Sequence, residues 1–191
     1  LFEGTRALPW EEFIPREGKF PVKGYSINSA LHAVPTCQAM VKKAIAKRLG
    51  KVYGLETLPE TGTLYQVQFA LFKDRASLML DTSGEGLYKR GYRAQGVAAP
   101  LKETLAAAMV ALSRYKGRDP FCDPFCGSGT IAIEAALISK SRAPGLNRSF
   151  SAQKWAQLPS GLWMDAADEA MDGEFDGNYE IWGGDIDPQA V

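Results

Sequence analysis

The sequence predicts an α/β protein in two parts, and three observations predict it. Tyr65, Val67, Phe69 and Leu71 alternate with polar or small residues. Across Lys73-Asp74-Arg75 they are answered by a second alternation at Ala76, Leu78 and Leu80, which reads as a hairpin. Residues 121–139 read as a short strand, a glycine loop and an apolar helix, the front of a nucleotide-binding α/β fold. Charge divides the chain as well. The net charge is zero, yet residues 1–100 hold 14 Lys/Arg against 9 Asp/Glu and residues 101–191 hold 8 against 13. Such asymmetry suggests one half that meets polyanions and one that does not.

The elements follow in order. Lys19 to Asn28 reads as a strand broken at Gly24. Thr36 to Leu49 reads as a helix, with Val41, Ile45 and Leu49 on one stripe and Gly50 as its stop. Lys43, Lys47 and Lys51 recur at the same spacing, with Lys42 and Arg48 beside them, which makes a basic face. Asp81 to Arg93, with three glycines, reads as a loop joining the halves. A helix is expected from Pro100 to about Tyr115, with Leu101, Leu105, Met109 and Leu112 on one face. Phe121-Cys122-Asp123 is expected as a buried strand and Ser128 to Ser139 as a helix. Residues 141–178 read as irregular, and Tyr179 to Trp182 as a second strand.

Composition narrows the function classes. The 191 residues suffice for one medium domain or two small ones, and 46% hydrophobic with 23% charged residues is ordinary for a globular protein. No apolar run approaches the roughly 20 residues of a membrane span, and Leu1-Phe2-Glu3-Gly4 does not begin a secretion signal. Three cysteines (Cys37, Cys122, Cys126) without a CxxC pair argue against a disulfide framework or a zinc site. No metal is expected, and free thiols suit the cytoplasm.

The chemistry concentrates in Asp123-Pro124-Phe125-Cys126-Gly127-Ser128-Gly129-Thr130. Gly127 and Gly129 let a ligand approach the backbone, and the amides opening the next helix point at it. Gly127-x-Gly129-x-x-Ala132 also fits a dinucleotide fingerprint, so the loop alone leaves NAD open. Asp123 at the strand end would repel a pyrophosphate and favour the ammonium group of S-adenosylmethionine. The acidic second half also suits a sulfonium better than two phosphates. Asp185, after the second strand, can accept hydrogen bonds from ribose hydroxyls in either cofactor. Residues 141–178 make the spacing to Asp185 longer than usual. They are expected to form a packed insertion, with a pocket-shaping role as the alternative to a structural one.

Residues 123–136, DPFCGSGTIAIEAA, resemble motif I of the bacterial THUMP-domain RNA methyltransferases. Leu87-Tyr88-Lys89-Arg90-Gly91-Tyr92-Arg93 is similar to that family's linker, and Ala99-Pro100-Leu101-Lys102-Glu103-Thr104-Leu105-Ala106 to its first cofactor-contacting helix. Gly184-Asp185-Ile186-Asp187 resembles its second motif, and Asp81-Thr82-Ser83-Gly84 the end of a THUMP domain. The resemblance implies a THUMP-like RNA-binding domain with its linker over residues 1–93. Over 94–191 it implies the first part of a Rossmann-like class I methyltransferase domain.

It further implies methyl transfer from S-adenosyl-L-methionine to the exocyclic amine of a guanine in 23S rRNA. The donor contacts it implies are Pro100, Leu101, Glu103, Thr104, Asp123, Phe125, Cys126, Gly127, Ser128, Gly129, Asp185 and Ile186. For RNA the candidates are Lys42, Lys43, Lys47, Arg48, Lys51, Arg90 and Arg93. The helix lysines have a solvated face as their alternative. Arg90 and Arg93, with Tyr92, have bracing between domains as theirs.

One feature departs from the family. Its amine methyltransferases present the acceptor with an Asn/Asp-Pro-Pro-Tyr/Phe motif, and no Pro-Pro occurs in these 191 residues. The expectation is a piece of a longer chain whose acceptor residues lie past Val191, so no residue is named as the catalyst. DNA adenine methyltransferases carry a close variant of motif I, and a non-catalytic RNA-binding module is the third reading. His32, the only histidine, reads as a structural or surface residue. Cys126 reads as packing and Glu134 as a hydrogen-bond partner of Thr130.

Overall fold

The computed structural model describes residues 1–93 and 100–188. The expected domain boundary after Arg93 and the motif residue Ala99 fall at or within the residues outside that description. The chain forms two compact units, Leu1–Gly84 with Phe150–Pro159, and Glu85–Ser149 with Ser160–Val191.

The first unit opens with α1 (Phe2–Ala7) and a short 3-10 turn at Trp10–Glu12. Then come β1 (Val22–Ile27), α2 (Val34–Tyr53), β2 (Gln66–Phe72) and β3 (Arg75–Asp81). The sheet order is β1-β2-β3, with β1 parallel and β3 antiparallel to β2. The predicted hairpin forms around Lys73 and Asp74, both at positive φ (49° and 60°), the two-residue turn whose twist suits antiparallel strands. Central β2 buries Val67, Phe69 and Leu71, and the α2 stripe Val41, Ile45 and Leu49 is equally buried.

Two expectations are corrected here. Gly24 does not break β1. It pairs in register with Phe69, and a Cβ there would lie 2.2 Å from the Phe69 carbonyl oxygen. Glycine is what lets the strands close. Nor does Gly50 stop α2, which continues to Tyr53 and ends at Gly54 in the left-handed conformation (φ 66°).

Residues 150–159 complete this unit. Trp155 is buried and stacks on Tyr65 at 4.9 Å, donating Nε1–H to the Leu64 carbonyl at 3.0 Å. The Tyr65 hydroxyl donates to Gln157 (3.0 Å), whose amide donates to the Phe13 carbonyl (2.7 Å). The segment read as irregular therefore holds ordered structure: this clamp, a 3-10 turn at Ser151–Lys154, and α5 (Leu162–Asp172) in the second unit.

The second unit contains α3 (Glu103–Leu112), β4 (Phe121–Asp123), α4 (Thr130–Ser139), α5 and β5 (Ile181–Gly183). β4 and β5 pair in parallel, Phe121 opposite Ile181 and Asp123 opposite Gly183. The expected apolar face of α3 is the outward one. Leu105, Met109 and Leu112 are exposed, while Glu103, Ala106 and Val110 are buried. β4 is likewise not buried, since Cys122 is exposed. Apolar periodicity finds the stripe but not which surface covers it. Among the described residues no helix is long and apolar enough to cross a membrane.

Candidate functional site

The parallel pair β4–β5 sets the site. Both strands end at the same level, and the loops leaving them are laced together. Cys126 N–H donates to the Gly184 carbonyl (2.8 Å), and Gly184 N–H to the Asp123 carbonyl (2.9 Å). Gly127 and Gly129 take positive φ (53° and 72°), and a Cβ on either would meet nothing closer than 3.8 Å. Backbone conformation, not crowding, demands glycine there. The space above the loop stays open, and α4 begins directly after Gly129.

Two carboxylates flank the loop. Asp185 accepts from Gly127 N–H at 2.9 Å on one oxygen and from Asp187 N–H at 3.0 Å on the other. These bonds, the Asp187 one foremost, hold its carboxyl below the usual range. Asp123 accepts a long bond from Phe125 N–H (3.3 Å) on one oxygen, while the other is buried without a hydrogen-bond partner. A buried orphan carboxylate oxygen is costly unless a donor, preferably cationic, meets it. Phe125 and Ile186 stand almost fully exposed beside this edge, 86% and 99%. They are apolar surfaces on which a planar ring can lie.

The expected donor-contacting residues divide into two groups. Cys126, Gly127, Ser128 and Gly129 line a cleft of about 440 Å³ with Ala132 and Ile181. Pro100, Leu101 and Glu103 line a larger cavity of about 660 Å³ with Tyr88, Lys102 and Arg148. Thr104 is exposed on α3. The groups are joined by Arg93, whose guanidinium donates to Glu103 (3.1 Å), Ser128 (3.1 Å) and Thr130 (3.0 Å).

The linker is held along its length. Arg148 donates to the carbonyls of Glu85, Gly86 and Lys89 at 2.6 to 3.3 Å. Glu134 accepts from the Tyr92 hydroxyl at 3.0 Å and from Arg90 at 3.4 Å. Burial, reinforced by the Glu134 charge, pushes the Tyr92 phenol well above its ordinary pKa. Arg90 and Arg93 thus have acidic partners inside the second unit. The partner expected for Glu134 was Thr130, and Thr130 instead receives Arg93.

On α2 the basic face splits. Lys42 lies over the Phe20 ring and pairs with Glu60, and Arg48 is a two-pronged partner of Glu11. Lys43, Lys47 and Lys51 are exposed, and the last two border a groove of about 480 Å³ with Arg6. His32 is exposed, with Nδ1 3.1 Å from the Ala30 carbonyl. The cysteines are all free thiols, and no group of three metal-ligating side chains occurs among the described residues. Arg148, Trp155 and Gln157 escaped the sequence reading. Each acts through contacts far away in sequence, which periodicity does not carry.

Residues 90–191 match the family described as RMKL-like, methyltransferase domain. The chain belongs to that family. Residues 1–81 match the THUMP domain, so the mixed α/β chain combines a THUMP domain with a methyltransferase-like fold, as the resemblance implied. A Bacillus subtilis relative named "Putative RNA methyltransferase YpsC" is 49% identical across the whole chain, which covers 50% of it. A Listeria monocytogenes structure named as a predicted N6-adenine-specific DNA methylase is 49% identical. It covers 99% of this chain and 50% of its own, with a TM-score of 0.93. Another, named "a putative methyltransferase complexed with SAH", is 41% identical with a TM-score of 0.91, covering 99% of this chain and 51% of its own. The chain thus spans about half the length of these family relatives.

Proposed function

We propose that this chain is the RNA-binding and methyl-donor-binding part of an S-adenosyl-L-methionine-dependent RNA methyltransferase acting in the cytoplasm. The observation that carries the reading is the orphan oxygen of Asp123 beside an open glycine loop, with Asp185 ionised across from it. That donor set fits the cofactor. Asp123 would meet the ammonium group, Asp185 the ribose hydroxyls, and Phe125 and Ile186 would offer apolar surface to the adenine. Cys126 and the glycine backbone would line its cleft, and Pro100 and Leu101 would contribute from the neighbouring cavity. When bound, the donor supplies an activated methyl group on a sulfonium. The protein's part is to hold that group at the strand ends and exclude other orientations.

A pyrophosphate suits this site poorly, because Asp123 presents negative charge where a dinucleotide would place its own. The relative complexed with SAH supports the same cofactor. The THUMP domain and the relative's RNA methyltransferase name support RNA as the acceptor, with Lys43, Lys47 and Lys51 as phosphate contacts. The finer reading is the exocyclic amine of a guanine in 23S rRNA. Calorimetric titration with S-adenosylhomocysteine and NAD tests the cofactor, and binding of NAD alone overturns it. Labelled methyl transfer by the full-length protein to unmodified 23S rRNA and to DNA tests the acceptor. Incorporation into guanine of the RNA is expected. Preference for DNA adenine, which the Listeria relative's name favours, would replace the RNA reading.

A further inference from the structure

We infer that Arg93 is a positioning residue for the methyl donor, one that shapes the glycine loop without touching the cofactor; this rests on the donor reading above. Arg93 holds the loop through its Ser128 side chain. Ser128 stands between Gly127 and Gly129, both in the left-handed region, and glycine has no side chain with which to hold that conformation. The Ser128 hydroxyl is held by Arg93 at 3.1 Å and lies 3.4 Å from the Thr130 hydroxyl. The same guanidinium reaches Thr130, the first residue of α4, and Glu103, the first residue of α3. One planar cation therefore pins the loop to the starts of both helices that flank it.

Burial makes the clasp specific. The side chains of Arg93 and Glu103 are 21% and 8% exposed, and Thr130 is buried. Three acceptors in fixed directions suit a guanidinium fork, and a lysine ammonium on a flexible stem does not reproduce it. Glu103 and Ser128, expected as direct donor contacts, have their side chains committed to Arg93. Their effect on the donor passes through the shape of the loop.

The test is S-adenosylhomocysteine affinity of the full chain by calorimetry, for Arg93→Met, Arg93→Lys, Ser128→Ala and the Arg93→Met/Ser128→Ala double variant. Near-UV circular dichroism reports folding. Arg93→Met is expected to weaken binding about ten-fold, the worth of one charge-assisted hydrogen bond. Arg93→Lys should fall between it and the unaltered chain. The double variant should bind no worse than Arg93→Met, because Ser128→Ala cuts a tie that Arg93→Met has already cut. Folded Arg93→Met with unchanged affinity overturns the inference, and so does additive loss in the double variant, which would mean Ser128 meets the donor itself. If Arg93→Met does not fold, Arg93→Lys decides: weakened affinity supports the clasp and unchanged affinity sinks it. If the unaltered chain binds no S-adenosylhomocysteine, the donor reading fails instead.

Discussion

At the scale of the residue, single carboxylates carry the sharpest consequences. Asp123 keeps a buried oxygen unmatched. Asp123→Asn removes the charge proposed to meet the donor's ammonium while keeping the shape. It should weaken S-adenosylhomocysteine binding by about ten-fold or more in calorimetry while leaving folding intact. In the first unit Glu11 answers Arg48, whose hydrogen bonds lower the Glu11 carboxyl from 4.5 to about 2. A carboxyl depressed in the folded state stabilises above its unfolded value. That contribution is whole above pH 4.5 and is lost as pH falls toward 2. Denaturant titrations at pH 7, 4 and 2.5 should show the decline, and Glu11→Gln should make it shallower.

At the scale of the element, close backbone approach decides more than propensity. β1 pairs with β2 because Gly24 leaves room for Phe69. Gly24→Ala forces a methyl against a strand carbonyl and should cost about 1–3 kcal/mol or more, read as a lower urea midpoint. The sequence marked Gly24 as special but could not tell a break from a contact, since the cause is a residue 45 positions away. The same limit explains Gly50, where an internal glycine looked like a stop. It also explains the apolar stripe of α3, which faces outward in this chain. By contrast the β2–β3 hairpin and the α2 core stripe were legible, because each is coded by neighbours within a few residues.

For the whole molecule, the two compact units are not two continuous stretches of chain. Residues 150–159 leave the methyltransferase-like half and complete the THUMP core, where Trp155 lies on Tyr65. Trp155→Ala should destabilise the first unit by roughly 3–5 kcal/mol. Thermal unfolding should then show its transition moving down while S-adenosylhomocysteine affinity stays unchanged. Loss of donor affinity at a temperature where the first unit is folded would contradict that assignment. The opposite charge of the two halves is plain in the composition. The surface charge available to a polyanion is narrower than the count suggests, because Lys42, Arg48, Arg90 and Arg93 are committed to internal partners.

The order of the five strands with α2, α3 and α4, the glycine loop and its two carboxylates could be read from residues alone, because each depends on local periodicity or on short motifs, whereas α1 and α5 were not. Which glycine stops a helix, which face of α3 is covered and where the insertion packs were decided only by the folded chain. So was the use of Arg93 as a three-way clasp. These depend on groups distant in sequence meeting at hydrogen-bond or van der Waals distance, and no local pattern encodes such meetings.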